Sequence, residues 1–177
     1  KIKVPKLKLL ASKDSAGEKV IAFGEEYTVE ELDHDSFEGV SVAFFSVPNA
    51  VTKKYIPIAV ESGALVIDDS SVFRMDPKVA LVVPEVNGSV LRDFDGKVIS
   101  VPNCTTTPLV LVLKPLLDSF GIERVVASTY QSVSGAGRDA YNELSLQTAQ
   151  LLNGKEAEAN VFPHRIAFNC LPKIGDI

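Results

Sequence analysis

Val42-Ala43-Phe44-Phe45-Ser46-Val47, followed after Pro48 by the helical pattern of residues 49–62 and then by Gly63-Ala64-Leu65-Val66-Ile67, is the stretch that decides the fold. The two outer runs are short, rich in Val, Ile and Phe, and apolar nearly throughout, as strands covered on both faces must be. Between them Val51, Tyr55, Ile58, Ala59 and Ser62 recur at near-helical spacing, and Gly63 stands where a helix ends. Strand, helix, strand is the unit of a parallel sheet. Pro57 lies inside the helix, where a proline removes a hydrogen bond and costs roughly 3 kcal/mol, so a kink or two shorter pieces are expected.

Working outward, residues 80–83 and 98–101 are two more apolar runs of strand length. A second unit begins at Asn103. Thr105-Thr106-Thr107-Pro108 supplies cap-type hydroxyls and a proline near a first turn, and Leu109, Leu113, Leu116, Leu117 and Phe120 continue the helix to Gly121, with a bend expected at Pro115. Residues 125–133 alternate and are β-branched enough for a strand, Ser134-Gly135-Ala136-Gly137 breaks it, and residues 140–152 return to helical spacing before Asn153-Gly154. The expected class is α/β in two domains, residues 1–103 and 104–177. No internal repeat or low-complexity segment is visible.

Composition narrows the function. The chain is 46% hydrophobic and 23% charged over 177 residues, enough to build a core without disulfide staples. Eighteen basic against 23 acidic side chains give a net charge of -5, and no Lys or Arg run makes a nucleic-acid or membrane footprint. No stretch approaches the ~20 apolar residues that span a bilayer, and the start has no signal-peptide core. Two cysteines, Cys104 and Cys170, fit a reducing compartment, with the cytoplasm as the default and a plastid if the source is a plant or alga. The Lys-rich start without Met and the stop at Lys173-Ile174-Gly175-Asp176-Ile177 read as cuts.

Cys104 carries the clearest chemistry. A thiol works as a nucleophile only as the thiolate, which is favoured at a helix N-terminus facing unpaired backbone N–H groups. Cys104 follows the strand of residues 98–101 and precedes the hydroxyl-rich helix start, so its sulfur is expected at the rim of the sheet, where the same N–H groups would stabilise an oxyanion. On position alone an ordinary buried thiol is the competing reading. Cys170, within Ile166-Ala167-Phe168-Asn169-Cys170-Leu171, reads as core.

The Gly-rich turn after residues 125–133 offers N–H groups to an anion, although many such turns are only turns and the full G-x-G-x-x-G pattern is absent. Arg74, just beyond a strand end, has the fork that holds phosphate or carboxylate, or it is a surface ion-pair partner. His34, among Asp33, Asp35 and Glu38, and His164, in an irregular stretch, are assigned no role as a base. A metal site is not expected.

Five motifs carry a resemblance: Leu10-Ala11-Ser12 with Ser15-Ala16-Gly17, then Asp69-Ser70-Ser71-Val72-Phe73-Arg74, Val82-Val83-Pro84-Glu85-Val86-Asn87, Pro102-Asn103-Cys104-Thr105-Thr106, and the run from Ser128 to Gly137. With them the sequence resembles the aspartate-semialdehyde dehydrogenase family from about Pro5 to Asp176. The resemblance implies a Rossmann-like parallel-sheet nucleotide-binding domain over residues 1–103 and the start of an α+β catalytic and dimerisation domain over residues 104–177. It implies NADPH-dependent reduction of L-aspartyl 4-phosphate to L-aspartate 4-semialdehyde and inorganic phosphate, on the route to lysine, methionine, threonine and isoleucine, by a homodimer.

Position by position, Cys104 matches the acyl-thioester nucleophile and Gln131 the glutamine that contacts substrate and orients the thioester. Arg74 and Asn103 match the phosphate-binding pair, Ser134 and Gly135 a cofactor-contacting pair, and Ser15 a residue near the 2′-phosphate of NADP. Where many members have a basic residue before that serine, this chain has Asp14, which repels a 2′-phosphate at short range and leaves NAD as the alternative cofactor. Members also carry a Gly-rich turn upstream and an active-site His with a substrate-binding Arg and Glu downstream, none of which matches a segment of this chain. The chain by itself is therefore expected to be inactive.

N-acetyl-glutamyl-phosphate reductase shares the thioester logic but usually has Gly at the position of Asn103. Glyceraldehyde-3-phosphate dehydrogenase shares the Cys-Thr-Thr helix start. The run Ser128-Thr129-Tyr130-Gln131-Ser132-Val133-Ser134-Gly135-Ala136-Gly137 favours the aspartate-semialdehyde family over both. A non-catalytic paralogue is the reading from a different class, and the joint presence of Asn103, Cys104, Gln131 and Arg74 argues against it.

Overall fold

Three strands that the apolar pattern does not announce come first in the structure, a computed structural model that describes residues 6–172. Pro5 and residues 173–176, which the resemblance takes in, lie outside the described residues. β1 (Leu9–Ala11) runs parallel to β3 (Glu25–Glu31), and β2 (Lys19–Ala22) pairs antiparallel with β3 in the order β1-β3-β2. Ala22 faces Glu25, so a two-residue loop joins β2 to β3. Both loop residues are left-handed, Phe23 at φ 53° and Gly24 at φ 87°, the twist that suits a tight hairpin.

β4 (Val42–Phe45), β5 (Leu65–Asp68), β6 (Ala80–Leu81) and β7 (Val98–Ser100) form the second sheet in the order β4-β5-β7-β6, parallel at every pairing. The expected parallel sheet is therefore present. β4, β6 and β7 are one or two residues shorter than their apolar runs, because the ladder stops where the chain turns away to the next element, and β5 extends one residue past its run to Asp68.

α1 (Asn49–Glu61) packs on this sheet, with Ile56 and Ala59 in a core made by Phe37, Ala43, Phe45, Ala64 and Val66. Phe37 stacks on Phe45 with ring centroids 5.7 Å apart. Pro57 does not divide the helix: burial of Ile56, worth about 1.5–3 kcal/mol, with Ala59 buried on the other side, offsets one missing hydrogen bond. α3 (Thr106–Phe120) likewise runs through Pro115 as one helix. Between the two lies the short α2 (Pro84–Asn87).

Coverage of both sheet faces is not found among the described residues. Along β4, Ala43 and Phe45 point into the core while Val42 and Phe44 are exposed, because α1 covers one face only.

Contacts divide the chain into two compact units, Lys1–Ile122 and Glu123–Ile177. The second contains α4 (Arg138–Leu152), preceded by a 3-10 turn at Val133–Ala136. The strand expected at residues 125–133 is absent: the segment has no ladder, and Val126 and Tyr130 are largely exposed. Alternation makes a strand only when a neighbour supplies hydrogen bonds, and the described residues of this unit offer none.

Residues 158–167 have no helix or strand, yet they are held firmly to α4. Glu143 is buried, and its Oε2 accepts the backbone N–H groups of Asn160 and Val161 at 2.7 and 2.5 Å while Oε1 accepts that of Phe162 at 3.3 Å. One turn on, Gln147 Oε1 accepts from the N–H groups of Ile166 and Ala167, and its Nε2 donates to the Glu158 carbonyl. Burial pushes the Glu143 carboxyl up, but the N–H donors of Val161, Asn160 and Phe162 outweigh it and hold the group below the ordinary glutamate value.

The core reading of Cys170 is overturned: the side chain is exposed. The apolar run around it forms neither strand nor helix. A turn closed by Asn169 N to the Ile166 carbonyl, with Phe168 left-handed at φ 54°, buries Ala167 alone and turns Phe168 and Cys170 outward.

Candidate active site

Parallel strands deliver their loops to one edge of the sheet, and ligands bind beyond the carboxyl ends of such strands. β5 ends at Asp68 and β7 at Ser100, which are partners in the ladder. The loops that leave them carry Arg74 and Asn103-Cys104, so these three sequence-expected residues belong to one sheet edge of the first unit.

Cys104 is exposed, which removes the buried-thiol reading. The expectation that unpaired N–H groups face its sulfur needs correcting. α3 begins two residues later at Thr106, and its N-cap Thr105 makes no side-chain cap bond. Asn103 does the capping instead. Its backbone carbonyl accepts from Thr106 N at 2.9 Å and Thr107 N at 3.2 Å, and its Oδ1 accepts from Thr105 N at 3.0 Å and from Thr105 Oγ1 at 2.7 Å. The Cys104 thiol also reaches this oxygen, with Sγ 3.7 Å away. The first N–H groups of the helix are thus satisfied, because an Asn before a helix is a better cap than the threonines inside it.

That arrangement fixes the amide. A backbone N–H can only be accepted, so the atom facing Thr105 N is the oxygen, and Nδ2 with its two N–H donors is turned away from α3. One side-chain donor on this edge is therefore the Asn103 amide.

Arg74 makes no ion pair among the described residues. Its Nε donates to the Val101 carbonyl at 2.9 Å and its Nη2 to the Asp69 carbonyl at 2.6 Å, tying the loop after β5 to the end of β7 beside Asn103. With Nε and Nη2 on backbone, Nη1 is the nitrogen with no hydrogen bond to the described residues. Asp69 is in turn held by Ser46 Oγ at 2.9 Å, and Ser71 Oγ accepts from Asn49 Nδ2 at 3.1 Å. Ser46, Asn49 and Asp69 were assigned no role from the sequence. Their signal is positional, polar residues at the ends of apolar strands.

Ser15 lies in the turn that follows β1, where Ser15 N donates to the Ser12 carbonyl at 3.0 Å. Lys13 and Asp14 are exposed beside it. Gln131, Ser134 and Gly135 belong to the second unit. Gln131 is half-buried in the extended segment, and Ser134 and Gly135 are exposed within the 3-10 turn, where Ser134 N and Oγ both lie on Ser132 Oγ, at 3.4 and 3.1 Å. His34 is exposed and contacts Asp35 at 3.2 Å, and His164 is exposed. Among the described residues, no group of three or more His, Cys, Asp or Glu is arranged to hold a metal ion, and no helix is long and apolar enough to cross a membrane.

Comparison with known proteins adds the family. Residues 1–94 match the profile described as "Semialdehyde dehydrogenase, NAD binding domain" and residues 113–177 that described as "Semialdehyde dehydrogenase, dimerisation domain". The chain is 46% identical to the aspartate-semialdehyde dehydrogenase of Bacillus subtilis over 95% of its own length and 50% of the relative's. It is 50% identical to that of Aquifex aeolicus over 97% and 51%. The crystal structure of aspartate semialdehyde dehydrogenase II complexed with ASA from Vibrio cholerae superposes with a TM-score of 0.87 at 44% identity, covering 98% of this chain and 52% of that one. The chain thus spans about half the length of the relatives it matches. Two profiles met in order, over more than half the residues, leave one assignment: the chain belongs to the semialdehyde dehydrogenase family.

Proposed function

We propose that this protein is an aspartate-semialdehyde dehydrogenase that reduces L-aspartyl 4-phosphate to L-aspartate 4-semialdehyde with release of inorganic phosphate. The observation that carries the reading is an exposed Cys104 beside the Asn103 amide and the Arg74 guanidinium at the carboxyl end of a parallel sheet.

The Cys104 thiolate attacks the acyl carbon. The C–S bond forms as the bond from that carbon to the phosphate oxygen breaks, and phosphate leaves with the electron pair. Asn103 Nδ2 and Arg74 Nη1 donate to the phosphoryl and carbonyl oxygens, and Gln131 orients the thioester. A reduced nicotinamide dinucleotide, when bound, would supply the hydride for reduction of the thioester to the aldehyde, with Cys104 leaving as the thiolate.

Residues of this chain fit such a cofactor. The turn after β1 joins the Ser15 hydroxyl and the Lys13 ammonium, which suit a 2′-phosphate, to the Asp14 carboxylate, which suits a ribose hydroxyl. NADP is our reading from the family pattern, with NAD the alternative that Asp14 supports. Ser134 and Gly135 are the second cofactor contact.

We place the functional division at residues 103 and 104. The interval between the two family matches includes it, although packing groups α3 with the first unit. A cytoplasmic homodimer follows from the same family reading.

Alkylation by iodoacetamide near pH 7 tests the nucleophile, with exposed Cys170 as internal comparison. Cys104 is expected to react faster than Cys170, and Cys104→Ser to abolish NADPH oxidation by the complete enzyme. Equal rates for the two cysteines would remove the basis of the proposal.

A further inference from the structure

A concavity of about 320 Å³ opens in the first unit where α1, the loop after β5 and the approach to β7 meet. Its walls include Ile56 and Val60 of α1, Phe73 of the loop and Val98, the first residue of β7. β7 leads from this concavity toward Cys104 at its other end, so the two places lie at opposite ends of one strand.

Charge surrounds this apolar floor in a repeated pattern. Asp76-Pro77-Lys78 and Asp95-Gly96-Lys97 border the concavity, each contributing one carboxylate and one ammonium two residues apart. None of the four is among the ion pairs of the described residues. Asp76 is set by its Oδ1, which accepts Lys78 N at 2.8 Å. The second segment is shaped by Gly96, where a Cβ would lie 2.3 Å from the Phe94 ring. Two charges of each sign, unpaired with one another and standing over an apolar cavity, complement a small molecule with both charges at one end and an apolar body at the other.

We propose that this concavity binds an α-amino acid with an apolar side chain. The side chain lies on Ile56, Val60, Phe73 and Val98, the ammonium meets a carboxylate of the rim, and the carboxylate meets a lysine. The site is separate from the thiol chemistry and does not rest on the dehydrogenase reading.

Titration of the ¹⁵N-labelled chain with L-leucine, followed by backbone amide signals, tests it. Signals of residues 56–60, 73–79 and 95–98 are expected to move. Isopentylamine and 4-methylpentanoate, which keep the body and one charge each, should bind about tenfold more weakly, the loss of one charge-assisted contact. Asp95→Asn and Lys97→Gln change exposed side chains only, and each should weaken L-leucine about tenfold while leaving distant signals in place. L-phenylalanine serves as a second probe. Silence toward both amino acids, equal binding of the singly charged analogues, or wild-type binding by both variants overturns the proposal.

Discussion

Replacing Glu143 by alanine removes the acceptor of three backbone N–H groups at once, from Asn160, Val161 and Phe162. A hydrogen bond to a charged group is worth about 1.5–3 kcal/mol. The three are unequal: two share Oε2 at 2.7 and 2.5 Å, and the third is long at 3.3 Å. Asn160 and Val161 are exposed residues, so water recovers part of the loss. A destabilisation of about 2–4 kcal/mol follows. Glu143→Gln keeps one acceptor oxygen but turns an amide donor toward an N–H, and should cost about half as much.

The pH dependence has a definite sign. The folded carboxyl titrates below the ordinary glutamate value, so Glu143 stabilises the fold fully above that value and the contribution disappears as pH falls through the lower folded value. Urea unfolding by circular dichroism reads the global loss, and hydrogen exchange at residues 160–162 reads the local one. If alanine costs no more than the roughly 0.5 kcal/mol of an ordinary surface change, or if exchange at those amides is unaltered, the clasp is not what holds the segment.

Gln147→Ala should release Ile166 and Ala167 and add nearly in full to Glu143→Ala only if the two grips are independent; a double-mutant cycle by urea unfolding decides. Asn103→Ala should cost about 1 kcal/mol as a lost helix cap, with Asn103→Ser recovering most of it in thermal melts. Phe23→Asn, at an exposed left-handed position before Gly24, should stabilise by roughly 0.4–1 kcal/mol, because Asn adopts φ near 53° more readily; an unchanged melting temperature argues against strain there. Ile56→Ala, deep in the α1 interface, should cost about 2–5 kcal/mol in urea.

Much of the first unit is legible in its apolar runs, since β5 and β7 lie inside the sheet and none of their residues is fully exposed. The three-stranded sheet at the start is not. Its strands carry Lys19, Glu25, Glu26, Glu30 and Glu31, and its turn is Phe-Gly, which has the required φ signs without the Asn or Asp that announces them. The segment at residues 125–133 fails in the opposite way, since its pattern is sufficient but its partner strands are lacking among the described residues.

At the site, Cys104, Asn103 and Arg74 were readable as residue types. What each hydrogen-bonds was not, because capping by Asn103 and backbone anchoring of Arg74 depend on where Val101 and Thr105 come to lie. Glu143 and Gln147 were assigned no role from the sequence, where they are two polar residues of a helical pattern. Their spacing from Ala140 places all three on one stripe, and the buried Ala140 is the sign that the stripe faces inward.

The position of Asn103 obeys two rules of exchange at once. As a helix cap it belongs to a set in which Ser, Thr and Asp substitute for one another freely. As the amide whose oxygen is engaged by Thr105 and whose nitrogen is turned outward, it belongs to a set of one, because none of those replacements has a side-chain N–H to present. Stability measurements alone would therefore score Asn103→Ser as silent, and a variant library sorted by folding would retain changes that disarm the site.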